Sequence, residues 1–248
     1  MEDFRKYIRD DVHVKVIKDP VPDHRTKDEL LKDLMVSTYI DLDKEYKEPP
    51  VYLGIIDQWG NVARLGTPAN ISAITGRYKS KKSFLQGMFG AACCKNGTIE
   101  NKITANLPAD KDQVLMFDTE QSVYDTYRVA NRIKRMIGYT PENLGVFSLR
   151  GLSAEDIINL IEFTLELHPN VGVIFIDQIA DLAKSINSEE EAVTIVRWLE
   201  KISKEKDLHI CCVIHQNKGD SHASGWLGSQ IMKKAETIIS IEKSEYSR

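Results

Sequence analysis

Gly76, Lys82 and Ser83 lie in the run Ile74-Thr-Gly-Arg-Tyr-Lys-Ser-Lys-Lys-Ser83, and these residue types at this spacing suit phosphate binding. The glycine permits a turn, successive backbone N–H groups then wrap an anion, and the run feeds the positive end of a helix. Lys82 is expected to reach the β- and γ-phosphates of a nucleoside triphosphate, and the Ser83 hydroxyl to ligate magnesium. Arg77, Tyr78, Lys79, Ser80, Lys81 and Phe84 complete the expected ATP-contacting set. The Walker A pattern has a second glycine where Lys81 stands, so the loop has less backbone freedom there. Taken alone, these residues also suit a solvated basic turn between a strand and a helix.

Three further positions follow apolar runs, where a strand would deliver them to one edge of a sheet. Asp177 ends Val-Gly-Val-Ile-Phe-Ile-Asp and is expected to hold magnesium through water, the Walker B role. Glu120 follows Gln-Val-Leu-Met-Phe-Asp-Thr and could orient the water that attacks a γ-phosphate, with Asp118 as the rival acid. Alternation places Asp118 on the opposite face from Thr119. His215 and Gln216 end His-Ile-Cys-Cys-Val-Ile-His-Gln, and either is a candidate sensor of the γ-phosphate. Lys218, His222, Lys233 and Lys234 form a modest basic set that would suit DNA as well as it suits a solvated face.

To place these groups together, the chain needs a sheet. Apolar strands are expected at 71–75, 113–119, 144–149, 171–177, 209–216 and 236–243, separated by amphipathic helices. That alternation predicts an α/β fold with a mostly parallel central sheet flanked by helices. A hairpin, Val51–Asp57 and Val62–Gly66 around Gln58-Trp59-Gly60-Asn61, precedes the first of these strands. Residues 1–50 are charged, contain an amphipathic stretch at 27–36 with Asp28 as the expected N-cap, and end at Pro49-Pro50. They read as an N-terminal arm or helical appendage, and residues 51–248 as the main domain.

The chain has 248 residues, enough for one substantial core. Its net charge of −4 argues against bulk electrostatic coating of nucleic acid. No stretch approaches the roughly 20 apolar residues of a membrane span, and the charged N-terminus does not read as a secretory signal. Cys93-Cys94 and Cys211-Cys212 are adjacent pairs in apolar surroundings, without zinc-ligand spacing, so they are expected to be buried thiols in the cytoplasm.

The order of phosphate loop, strand-end Glu120, strand-end Asp177, strand-end His215-Gln216, Gly225-Trp-Leu-Gly-Ser229 and a last strand resembles the RecA/DnaB superfamily of P-loop ATPases. Within it the chain is most similar to the RepA-type hexameric helicase ATPases of plasmids and mobile elements, over about residues 50–243. The resemblance implies ATP and magnesium at Lys82 and Ser83, Glu120 as catalytic base, Asp177 as the Walker B acid, and Gln216 or His215 as sensor. It also implies a homo-oligomeric ring acting on single-stranded DNA, with loops at 186–188 and 219–228 facing DNA. Lys243 and Arg248 become candidates to reach ATP on an adjacent subunit. Two other classes stay open, a regulatory module that binds ATP without turnover and a small-molecule kinase. No arginine-rich lid, which a kinase would need, follows the phosphate loop.

Overall fold

Four strands are buried at every position: β3 (Ile71–Gly76), β6 (Gln113–Asp118), β8 (Val171–Asp177) and β9 (His209–His215). Strands with no wet side require cover on both faces, which parallel strands obtain from their crossover helices. The computed structural model, which describes residues 25–185, 187–216, 223 and 225–242, shows this arrangement. A six-stranded parallel sheet runs β10-β3-β9-β8-β6-β7, with β7 (Leu144–Ser148) and β10 (Thr237–Ile241) at its edges. The α/β class expected from the sequence is therefore present, and the chain divides into two compact units, residues 1–48 and 49–248.

Helices α2 (Lys82–Lys95) and α3 (Val123–Ile137) pack together on one face. There Phe89, Ala92 and Cys93 of α2 and Val129 and Ile133 of α3 share a core with Ile74, Met116, Phe175, Cys211 and Val213 of the strands. The alternate strand residues face the other way. That side carries α4 (Ala154–Leu167), α5 (Glu189–Glu205) and α6 (Gly225–Lys234). Trp198 of α5 donates to Glu162 of α4 at 2.7 Å, and α5 packs against α6. The two-sided arrangement follows from right-handed crossovers running in opposite directions along the sheet. From β3 the chain moves past β9 and β8 to β6, whereas from β9 it moves back past β3 to β10. Adjacent β3 and β9 therefore bound a topological switch point, whose crevice beyond the strand ends is where open α/β sheets take ligands.

A second, antiparallel sheet runs β2-β1-β5-β4. Its β1 (Leu53–Ile56) and β2 (Val62–Gly66) form the expected hairpin. Its β4 (Thr98–Ile99) and β5 (Ile103–Ala105) are short strands that the sequence did not announce. They turn at Glu100 and Asn101, both with positive φ (50° and 53°), a geometry usually signalled by glycine. Helix α6 was likewise not expected as a helix.

In the first unit, α1 (Lys27–Thr38) is capped by Thr26 rather than by Asp28. Thr26 Oγ1 accepts from the Glu29 N–H while the Glu29 carboxylate accepts from the Thr26 N–H at 2.7 Å, a complete capping box. The box begins two residues earlier than the expected cap.

Candidate functional site

The expected phosphate loop joins β3 to α2 at the switch point. Gly76 is required there by close approach: a Cβ on it would lie 2.6 Å from Ser80 Oγ and 2.7 Å from the Ile241 carbonyl oxygen. Lys81, in place of the second glycine, takes a left-handed conformation (φ 70°, ψ 30°), and Lys79 has φ 60°. The loop thus keeps a glycine-like path through lysines, at a cost of roughly 1–2 kcal/mol for each left-handed residue. Lys81 makes no side-chain cap to α2, whereas Ser122, Ser153 and Ser188 cap α3, α4 and α5. The first N–H groups of α2 therefore remain for another acceptor.

Lys82 points into the loop and is buried. Its Nζ donates to the carbonyls of Gly76 at 2.9 Å and Arg77 at 3.1 Å, and lies 2.8 Å from His215 Nδ1. Burial pulls the Lys82 pKa below its ordinary value, opposed by the nearby charges of Asp177 and Glu120. An ammonium has only protons to offer, so His215 Nδ1 accepts and the ring proton resides on Nε2. That nitrogen is 3.2 Å from Glu120 Oε2, completing a chain Lys82–His215–Glu120. The hydrogen bond from His215 holds the Glu120 carboxyl below its usual pKa. Tyr78 stacks on the His215 ring with centroids 4.1 Å apart, a contact no sequence pattern indicated.

Ser83 Oγ donates to Asp177 Oδ2 at 2.9 Å. Burial pushes the Asp177 carboxyl up to about 6; the Ser83 bond and His215 pull it down, while Asp118 and Glu120 push it further up. A buried carboxylate disfavoured this way gains strongly from a cation. Among the described residues no group of three or more His, Cys, Asp or Glu is placed to hold a metal by itself. Magnesium needs no such cage when one or two protein oxygens and substrate phosphates surround it.

Asp118, the rival acid, is engaged elsewhere. Its oxygens accept from the N–H groups of Glu120 (3.1 Å) and Gln121 (2.8 Å), from Gln121 Nε2 (2.8 Å) and from Thr126 Oγ1 (3.0 Å). It therefore builds the turn that presents Glu120. Thr119 faces the other way, as alternation requires, with its hydroxyl 2.6 Å from Asp181 Oδ2.

Lys82, Ser83, Glu120, Asp177 and His215 thus converge, and Gln216 does not join them. Its side chain donates to Ser240 Oγ at 3.2 Å, because consecutive strand residues point to opposite faces. Of the loop residues, Ser80 is buried with an Oγ that has no hydrogen-bond partner among the described residues, while Arg77, Tyr78, Lys79, Lys81 and Phe84 are exposed. Lys233 and Lys234 lie at the far edge of the sheet. Two residues after Lys234, the Glu236 N–H bonds the Ile71 carbonyl at the start of β3, about 17 Å of strand away from Gly76. Lys234 also pairs with Glu200 at 3.2 Å. Lys218, His222, Lys243, Arg248 and Ile186 lie outside the described residues.

All four cysteines are buried and unbridged, as expected. Among the described residues no helix is long and apolar enough to cross a membrane. No protein-family model matches the chain, and no curated protein matches it in sequence.

Proposed function

We propose that the chain is a RecA-like P-loop ATPase that binds ATP with magnesium between the 76–83 loop and the ends of β8 and β9. The observation that carries this reading is the 2.9 Å bond from Ser83 to Asp177, with Lys82, His215 and Glu120 beside it at a topological switch point. The residues suit the groups they would hold. Gly76 leaves no room for a side chain, and the Ser80 Oγ, unpaired among the described residues, and the side-chain-free cap of α2 offer polar groups to a phosphate.

Ser83 and Asp177 would hold magnesium, which when bound neutralises charge on the phosphates. Lys82 would exchange its carbonyl and imidazole partners for phosphate oxygens. Glu120, ionised at neutral pH, would orient a water and accept its proton as the oxygen attacks the γ-phosphorus, releasing ADP and phosphate. His215, freed at Nδ1 but still bonded to Glu120, would then report the state of the loop to the segment after β9.

Action on single-stranded DNA by an oligomeric ring rests on the order of the motifs rather than on Lys233 and Lys234, whose place at the opposite edge gives it no support. Lys81 at a glycine position favours a second reading, ATP binding without turnover. ATP turnover measured with and without single-stranded DNA tests both. DNA-stimulated turnover supports the motor, whereas magnesium-dependent binding without turnover supports the regulatory module.

A further inference from the structure

Helix α3 carries a surface that the phosphate site does not use. Its buried residues, Thr126, Val129 and Ile133, occupy one face. At 100° per residue, Tyr124, Tyr127, Arg128, Asn131 and Arg135 fall on the opposite one, and Arg132 lies at its flank. The two tyrosines are 68% and 58% exposed, with ring centroids 6.4 Å apart. The arginines crowd one another: burial, then the charges of Arg128 and Arg135, lower the pKa of Arg132. The one acid on the helix, Asp125, is 3.5 Å from Arg128. Arg132 lies 5.2 Å over the ring of Phe84, so the surface runs on to the first turn of α2 and the exposed basic residues of the phosphate loop.

We infer that this face of α3 binds a single nucleic-acid strand, with bases on Tyr124 and Tyr127 and phosphates on Arg128 and Arg135. A net-negative chain that gathers arginines along about 10 Å of one helix offers a local anion track. Wet aromatic rings on the turn that leads into those arginines match bases, which present a π-face beside each phosphate. The surface deepens the proposed action on DNA and moves its contacts from Lys233 and Lys234 to α3, but it depends on no nucleotide being bound.

The test is anisotropy of labelled oligo-dT and oligo-rU with the full chain, without nucleotide, across a salt series. Wild type is expected to bind with salt-dependent affinity, and comparing the two oligomers shows whether DNA or RNA is preferred. Arg128→Glu/Arg135→Glu is expected to weaken binding at least about 10-fold and to flatten the salt dependence by about the two contacts removed. Tyr124→Ala/Tyr127→Ala is expected to weaken it about 10-fold or more with the salt dependence unchanged. Unchanged melting temperature and ATP affinity in both variants exclude misfolding and separate this surface from the phosphate site. No binding by wild type, or wild-type binding by both folded variants, overturns the inference. So does a loss confined to self-association or to an acidic protein partner. Failure of Lys82→Ala to affect ATP binding would instead count against the phosphate site and leave α3 untouched.

Discussion

Two histidines on the same face of β9 show how a closed hydrogen-bond network differs from one built on charged partners. His209, at the start of the strand, is fully buried between Ser72 Oγ (2.8 Å from Nε2) and the Thr67 carbonyl (3.0 Å from Nδ1). Both ring nitrogens have fixed neutral partners, and burial lowers its pKa from 6.5 to about 4. His215, six residues on, is instead bound by an ammonium and a carboxylate, charged groups that could each exchange it for another partner. One strand therefore carries a closed network at one edge and an exchangeable one at the other. Chemistry belongs where the partners can change.

The largest expected effect separates these ends by activity. Glu120→Gln is expected to lower ATP turnover about 100-fold or more while leaving binding intact, checked by phosphate release and nucleotide titration. His209→Ala is expected to do the reverse, leaving ATP affinity unchanged. It should cost about 2–4 kcal/mol in denaturant unfolding, through a cavity beneath Gly66 and an unpaired Ser72.

A pH series sharpens the contrast. His209 has a depressed folded pKa, so its stabilising contribution is complete above pH 6.5 and is lost toward pH 4, by about 1.4 kcal/mol per unit. Asp177 has a raised one, so its ionisation destabilises the fold above about pH 6, and protonation removes that cost as pH falls toward 3.8. The two slopes oppose each other between pH 6 and 4. Asp177→Asn removes the second. The variant is expected to be about 2 kcal/mol more stable than wild type at pH 8 and to lose stability more steeply below pH 6, with magnesium-dependent ATP binding weakened. A stability curve parallel to wild type would contradict the assignment.

The smallest effect concerns the loop itself. Lys81→Gly relieves a left-handed lysine but adds freedom to the unfolded chain, so a net gain of about 0.5–1 kcal/mol in thermal unfolding is expected.

Much of this was legible in the sequence for a physical reason. Parallel strands covered on both faces must be apolar throughout, so β3, β6, β8 and β9 announced themselves, along with the polar residues at their ends. The choice between His215 and Gln216 was not legible, because alternation separates the two faces but does not say which one meets α2. The short β4–β5 hairpin was hidden by a Glu100-Asn101 turn in which positive φ is carried without glycine. The engagement of Asp118 depends on Thr126 and Gln121, which only the folded turn brings to it.

The most direct test of the site is a titration of the wild-type chain and Lys82→Ala with ATP, with and without magnesium. Saturable, magnesium-dependent binding by wild type, weakened at least about 100-fold in the variant, is the expected result. Equal affinity in the two proteins, or none in wild type, would contradict it.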